Sequence, residues 1–234
     1  MMESSALLAF DTSTPTARVA LISADGECLV LRAKTAARHS ANLLGLVDEV
    51  LRESGLAVAG LGAIACGAGP GSFTGLRVGL SAARGIGLAA NKPVVGLTTL
   101  SAYAAPVVSR NDEHPVISAI DARHDHVYFQ VVSGNGSSLI RPKVAPIGEA
   151  LAASRFGAPH MVGNAARILA DRWPVDAPPP FKVEPQPAPD IAWLAWLGAA
   201  VSPETSPPRP YYLRAPDAKV PGTVVRASAQ PSAP

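Results

Sequence analysis

Two aspartates sit where chemistry could be done. Asp11 ends the apolar run Leu7-Leu8-Ala9-Phe10 and opens Asp11-Thr12-Ser13-Thr14-Pro15, and Asp121 ends Val116-Ile117-Ser118-Ala119-Ile120 and opens Asp121-Ala122-Arg123-His124-Asp125. A carboxylate at a strand end, beside glycine backbone that a ligand can approach closely, can clamp a metal-bound phosphate. Neither loop contains glycine, and Pro15 removes a backbone donor that a phosphate would use. The preferred reading is an aspartate capping a turn between strands, with Asp11, Thr12, Ser13 and Asp121 kept as candidate vestiges of phosphate loops. A third candidate is Gly67-Ala68-Gly69-Pro70-Gly71-Ser72-Phe73-Thr74-Gly75, since glycine-rich loops before helices are natural anion sites. The dinucleotide pattern fails because Thr74 stands where a glycine is wanted, and the phosphate-loop pattern lacks its lysine. Ser72 or Thr74 as a helix cap explains the segment without a ligand, and that reading is preferred.

The remaining reactive side chains form no constellation. Cys28 and Cys66 each lie in an apolar run that reads as a strand and have neither C-x-x-C nor metal-ligand spacing, so they read as small core residues of a reducing compartment. His39 precedes the first helix as a capping or surface residue, and His124 and His126 have no assigned role. No metal and no cofactor is expected.

The elements that must carry these loops repeat. An offset of 110 residues lays Asp121 on Asp11, Ser133 on Ser23, and Asn135-Gly136 on Asp25-Gly26, and both dipeptides suit a type I′ hairpin. Chance could supply the matches in a chain so rich in small residues, but the strand-hairpin-strand context on both sides favours internal duplication. In the first half Ser40 is expected to cap a helix with apolar positions Leu43, Leu44, Val47, Val50 and Leu51, ending near Gly55. A strand over 61–66, a helix over 74–90 and a strand over 93–97 follow. The second half gives helices near 147–153 and 164–172, a strand over 160–162, a proline-rich loop over 174–189 and an apolar helix over 191–201 carrying Trp193 and Trp196. The order βββαβα, twice, is the pattern of the actin, sugar-kinase and heat-shock ATPase superfamily: a duplicated α/β fold with lobes over 1–108 and 109–219, the second reduced, and a disordered tail over 220–234.

The helix over 74–90 is unusual. Gly75, Gly79, Ala83 and Gly87 recur every four residues, and each interior glycine costs about 0.5–1 kcal/mol relative to alanine, so the ridge needs a compensating close backbone approach. Only Arg77, Ser81 and Arg84 make a polar edge. Two readings stay open: a helix enclosed in its own domain, or one packed on its sheet by one side and on a partner by the other. Leu46, off the main stripe of the preceding helix, is expected to be exposed and to extend an apolar patch.

The stretch from Gly67 to Gly79 resembles the signature of the TsaB family, and Asp11-Thr12-Ser13, His39-Ser40, Ala119-Ile120-Asp121-Ala122-Arg123 and Tyr212-Leu213-Arg214-Ala215-Pro216 match the same family in order. The resemblance covers about Leu7 to Lys219. It implies a partner subunit that is not itself an enzyme: TsaB-like proteins pair with the metal-bearing TsaD, which forms threonylcarbamoyl-adenosine in tRNA, and the ATPase TsaE joins them. It also implies that helices 40–54 and 74–90 pack on TsaD or on a second copy, making a homodimer, through Leu43, Leu46, Val47, Val50, Gly75, Leu76, Arg77, Gly79, Leu80, Ala83, Arg84 and Gly87. The catalytic relative has two histidines four residues apart on one helical face, and here Thr99 and Tyr103 stand in those places, neither a neutral nitrogen donor. Gly163-Asn164-Ala165-Ala166 stands where a nucleotide-binding relative has a Gly-Gly pair. An ATP-dependent phosphotransferase using Asp11 and Asp121, and a metal-dependent glycoprotease-like hydrolase, are the alternatives.

The bulk numbers agree with a buried, partnered protein. Hydrophobic residues make up 48% and charged residues 16%, apolar enough to suggest surface covered by another chain. The net charge is +2 and no Lys/Arg run exceeds a dipeptide, so tRNA is expected to be met only through the complex. The N-terminus lacks a basic signal region and no segment is long enough to span a bilayer, so a cytoplasmic protein is expected.

Overall fold

β1 (Ala6–Asp11) is buried along its whole length, which requires helices on both faces of its sheet. Alternation along the strand divides its side chains between two cores. Leu8 and Phe10 join Val19, Leu21, Ile64 and Cys66 beneath α1 (His39–Ser54) and α2 (Phe73–Ala90), and Leu7 and Ala9 join Ala20, Ile22, Val95 and Leu97 beneath α6 (Ile191–Ala199). The computed structural model describes residues 6–35, 39–110 and 113–214. The expected tail over 220–234 lies outside the described residues, as do Ala215 and Pro216 of the late motif.

The first sheet has the order β3-β2-β1-β4-β5, with β2 (Thr16–Ile22) and β3 (Cys28–Thr35) antiparallel and β4 (Leu61–Gly69) and β5 (Val94–Thr98) parallel. The second repeats it as β8-β7-β6-β9-β10. β6 (Val116–Asp121), β7 (His126–Val132) and the start of β8 (Ser138–Pro146) stand 110 residues after β1, β2 and the start of β3. The register even shifts at the same place, between Leu21 and Ile22 and between Val131 and Val132. The fold is the duplicated actin-like α/β fold.

The hairpins differ from the expected turn type. Gly26 and Gly136 have φ of 89° and 85°, but neither Asp25 nor Asn135 is left-handed, whereas type I′ needs both central residues there. In both turns a serine carbonyl accepts from the glycine N–H three residues on (Ser23 from Gly26, Ser133 from Gly136), and the serine hydroxyl donates to the Asp25 or Asn135 side chain. This is a type I turn closed by a glycine bulge, which needs one positive φ and not two.

The helices interleave across the division expected at residue 108. α3 (Thr99–Val108) packs Leu100, Tyr103, Ala104 and Val107 on Val116 and Ile120 of the second sheet, while α6 returns to cover the first. The Trp196 indole N–H fastens α6 to the first hairpin, donating to the Gly26 carbonyl at 2.7 Å. Other expectations are corrected in detail. Ser40 lies inside α1 and not ahead of it. Cys28 is exposed because β3 is an edge strand, whereas Cys66 is buried, its thiol pushed up to about 12 by burial. The proline-rich stretch contains a short strand, β10 (Lys182–Glu184), parallel to β9 (His160–Val162). The helices at 147 and 164 are single turns, α4 (Ile147–Leu151) and α5 (Ala166–Ala170).

Candidate functional site

The loop after β1 is closed on itself. Asp11 is only 2% exposed, and its carboxylate accepts from the Ser13 backbone N–H at 2.9 Å and the Ser13 hydroxyl at 2.8 Å. Burial raises its pKa, against the lowering pull of the Ser13 hydrogen bonds and the Arg18 charge. The Ser13 hydroxyl also lies 3.2 Å from that of Thr99, and the Thr12 hydroxyl donates to the Gly75 carbonyl at 2.7 Å.

The glycine-rich segment wraps this loop. A Cβ on Gly67 would stand 2.1 Å from an Asp11 oxygen, one on Gly71 2.5 Å from the Ser13 carbonyl oxygen, one on Gly75 1.9 Å from the Thr12 carbonyl oxygen, and one on Gly79 2.6 Å from the Thr12 hydroxyl. The close backbone approach that compensates the glycine ridge is therefore made to the chain's own β1 loop. Ser72 caps α2, its hydroxyl accepting from Gly75 N–H at 3.2 Å, and its own N–H donates to the Ser13 carbonyl at 2.7 Å. Donors that could have faced a phosphate are spent on Ser13 and Ser72.

A cleft of about 460 Å³ opens between the two sheets, lined by Ser13, Thr99 and Tyr103 on one side and Asp121, Arg123 and Asn164 on the other. The duplicated aspartates have opposite environments. Asp11 does not line the cleft, whereas Asp121 is exposed, its carboxylate accepting from Arg123 N–H and its own N–H donating to the Asn164 side-chain oxygen, both at 2.8 Å. Arg123, His124 and Asp125 are all left-handed, a run of three that the sequence did not signal. Thr99 and Tyr103 share the buried face of α3, and the Tyr103 hydroxyl donates to the Gln186 carbonyl at 3.1 Å. Burial, followed by the Asp11 charge, pushes that hydroxyl's pKa up. Two engaged hydroxyls are not the neutral nitrogen donors that a histidine-held metal would need at these positions. Among the described residues no three His, Cys, Asp or Glu side chains converge.

The expected contact surface is largely turned inward. Leu46 is 3% exposed, joining Leu43, Val47 and Val50 in the first core, because it completes the i, i+3, i+4, i+7 stripe; the leucine left outside is Leu44, at 59%. On α2, Gly75, Leu76, Gly79, Leu80, Ala83 and Gly87 are buried. Its outward face presents Phe73, Arg77, Ser81, Arg84 and Leu88, with Leu88 86% exposed. Arg77 lies 3.9 Å over the Phe73 ring and donates to the Tyr212 hydroxyl at 3.2 Å, so the segment after α6 is fastened to this face.

Comparison with known proteins turns this arrangement into a family. Residues 30–187 match the family model described as TsaD, tRNA N6-adenosine threonylcarbamoyltransferase. Two relatives named tRNA threonylcarbamoyladenosine biosynthesis protein TsaB are similar: one from Haemophilus influenzae, 38% identical over 61% of this chain and 57% of its own length, and one from Escherichia coli, 37% identical over 53% of each. A solved Pseudomonas aeruginosa structure, described as an uncharacterized protein with similarity to the peptidase YeaZ, superposes with a TM-score of 0.73 at 28% identity over 90% of this chain and all of that one. The chain belongs to the TsaB family. It spans just over half the length of the two TsaB relatives it matches. The TsaD model match begins in β3 and runs past β10, so the part of this TsaB-family chain that resembles the transferase includes both α2 and the Thr99–Tyr103 helix. No described helix is long and apolar enough to cross a membrane.

Proposed function

We propose that this chain is a non-catalytic partner subunit in tRNA threonylcarbamoyladenosine biosynthesis, holding a TsaD-like transferase. The observation that supports the reading is the filling of the glycine-lined hollow by the chain's own atoms: Thr12 and Ser13 occupy the space that Gly71, Gly75 and Gly79 leave, and Asp11 is sealed behind them. A phosphotransferase would need Asp11 at the cleft, and a metal hydrolase would need nitrogen donors where Thr99 and Tyr103 stand. The family resemblance supports the biosynthetic role, and the names of the relatives support the process.

The partner face is the outward side of α1 and α2: Leu44 from the first helix, and Phe73, Arg77, Arg84 and Leu88 from the second. Residues beneath it, from Leu43 to Gly87, act by setting its shape. A TsaE-like ATPase joins the pair, the same face serves a second copy when the transferase is absent, and tRNA in the cytoplasm is met only through the complex. Size-exclusion chromatography of the chain mixed with a TsaD-like subunit is expected to give a complex that Leu88→Asp and Leu44→Asp weaken. Failure to co-elute, or a complex indifferent to both substitutions, would remove the proposal.

A further inference from the structure

The chain after α6 returns to α2 by way of the first sheet. Its Ser206 carbonyl accepts from Gly96 N–H on the edge strand β5 at 2.9 Å, and Tyr211 N–H donates to the Ala68 carbonyl at 2.8 Å, where the β4–β5 register shifts. Gly96 admits this close approach, since a Cβ there would stand 2.8 Å from the Pro207 carbonyl oxygen. Tyr212 is thereby laid beside α2, its ring 5.4 Å from that of Phe73 and its hydroxyl accepting from the Arg77 Nε–H.

Arg77 is held on two sides while staying exposed. Phe73 lies against the guanidinium and Tyr212 takes the Nε–H, so side-chain freedom is spent before any partner arrives and the fork of the two terminal nitrogens is left for a planar acceptor. A carboxylate fits that fork with two parallel hydrogen bonds. Neither Arg77 nor Arg84 makes an ion pair among the described residues, whereas on α1 Asp48 pairs with Arg52 and Glu53 with Arg32. The sequence gives α2 no carboxylate of its own, because no Asp or Glu occurs between Ser54 and Asn111. Arg77 and Arg84 stand seven residues apart in the outward stripe Phe73, Arg77, Ser81, Arg84, Leu88, which is about 10.5 Å along the helix. Phe73 and Leu88 bracket the pair, 38% and 86% exposed. Arginine between apolar neighbours is the composition of a protein interface, whereas a nucleic-acid surface is more polar and far more strongly charged.

We propose that Phe73, Arg77 and Tyr212 form a preformed carboxylate seat, which together with Arg84 takes a partner helix carrying two acidic side chains two turns apart. The inference rests on reading this face as the one that meets the TsaD-like subunit, and it adds the chemistry that subunit must present there. Tyr212 is a positioning residue, acting on the partner through Arg77.

Calorimetric titration of the full chain with the TsaD-like subunit, at low and high salt and with and without tRNA, tests it. Arg77→Glu is expected to weaken binding about thirtyfold at low salt and less at high salt, and Arg77→Lys about fivefold, because an ammonium keeps the charge and loses the fork. Tyr212→Phe should weaken binding about threefold with an unchanged unfolding midpoint, and should cost nothing further in an Arg77→Gln background, since it removes only the hydroxyl that fixes Arg77. A complex weakened by Leu88→Asp but indifferent to Arg77→Glu would overturn the carboxylate seat and leave the partner face standing, whereas no complex with the wild type would remove both. Weakening by Arg77→Glu that appears only when tRNA is added would assign the arginines to phosphate, and equal losses from Tyr212→Phe in both backgrounds would take Tyr212 out of the site; either result overturns the proposal.

Discussion

Gly75→Ala adds a single methyl group at the point where α2 meets the β1 loop. The new carbon would stand 1.9 Å from the Thr12 carbonyl oxygen, and a normal C···O approach is about 3.3 Å, so helix and loop must part by about 1.4 Å. The loop is held by the Thr12 hydroxyl on Gly75 and by the Asp11–Ser13 bonds, all buried, so it cannot swing aside cheaply. Overpacking of this kind costs about 1–3 kcal/mol, against a helix-propensity gain of at most about 1 kcal/mol. A net loss of about 1–2 kcal/mol should lower Tm by about 2–8 °C in a chain of this size. Gly85→Ala, on the exposed side of the same helix with nothing within 4 Å, gains propensity alone and should stabilise by about 0.5–1 kcal/mol. Urea unfolding of both variants reads the two signs. If Gly75→Ala matched or exceeded the wild type, the idea that the ridge exists to admit the β1 loop would be refuted.

Asp11→Asn keeps an acceptor for Ser13 N–H but cannot ionise. Because burial raises the Asp11 pKa above its ordinary 3.8, the folded chain keeps a proton that the unfolded chain has released; stability therefore falls as pH rises from 3.8 to the folded value, and the cost is complete above it. The variant should gain on the wild type as pH rises above the ordinary 3.8 in urea titrations, and parallel curves would contradict the burial argument. Leu46→Ala should cost about 2–5 kcal/mol as a core cavity, and Leu44→Ala less than about 0.5 kcal/mol; equal losses on thermal unfolding would mean the stripe is misassigned. Gly26→Ala and Gly136→Ala force a side chain into left-handed backbone and should each destabilise by about 1–2 kcal/mol in chemical denaturation, while Asp25→Asn should leave the midpoint nearly unchanged.

Much of the fold was legible because duplication printed the same turn chemistry twice. Ser23 and Gly26 over Ser133 and Gly136 carry the same hydrogen bonds, and the offset they define places three strands of each sheet. The turn type itself was misread, since Asp-Gly is compatible with both a primed turn and a bulged one and only the backbone distinguishes them. Leu46 was misread because a stripe drawn through Leu43, Leu44 and Val47 omits the i+3 position that the α1–sheet packing fills. Cys28 sits in a run that reads as a strand and is one, but edge position is a property of topology that no local pattern encodes. The exchange of α3 and α6 between sheets is invisible for the same reason. At the site, the glycine spacing announced a close approach without naming its partner: two residues after Asp11, in a loop over fifty residues earlier, supply the atoms that fill it. The left-handed run Arg123-His124-Asp125 carries no glycine or asparagine to betray it.

The central claim is that this chain supports chemistry done by another subunit. Its most direct test is formation of threonylcarbamoyl-adenosine in tRNA by a TsaD-like and a TsaE-like subunit, measured by nucleoside chromatography with the chain present, absent and alone. Product formed only when all the subunits are combined, and none by this chain with ATP and tRNA alone, is the predicted result. Turnover by the purified chain alone, or full activity of the other subunits without it, would contradict the account.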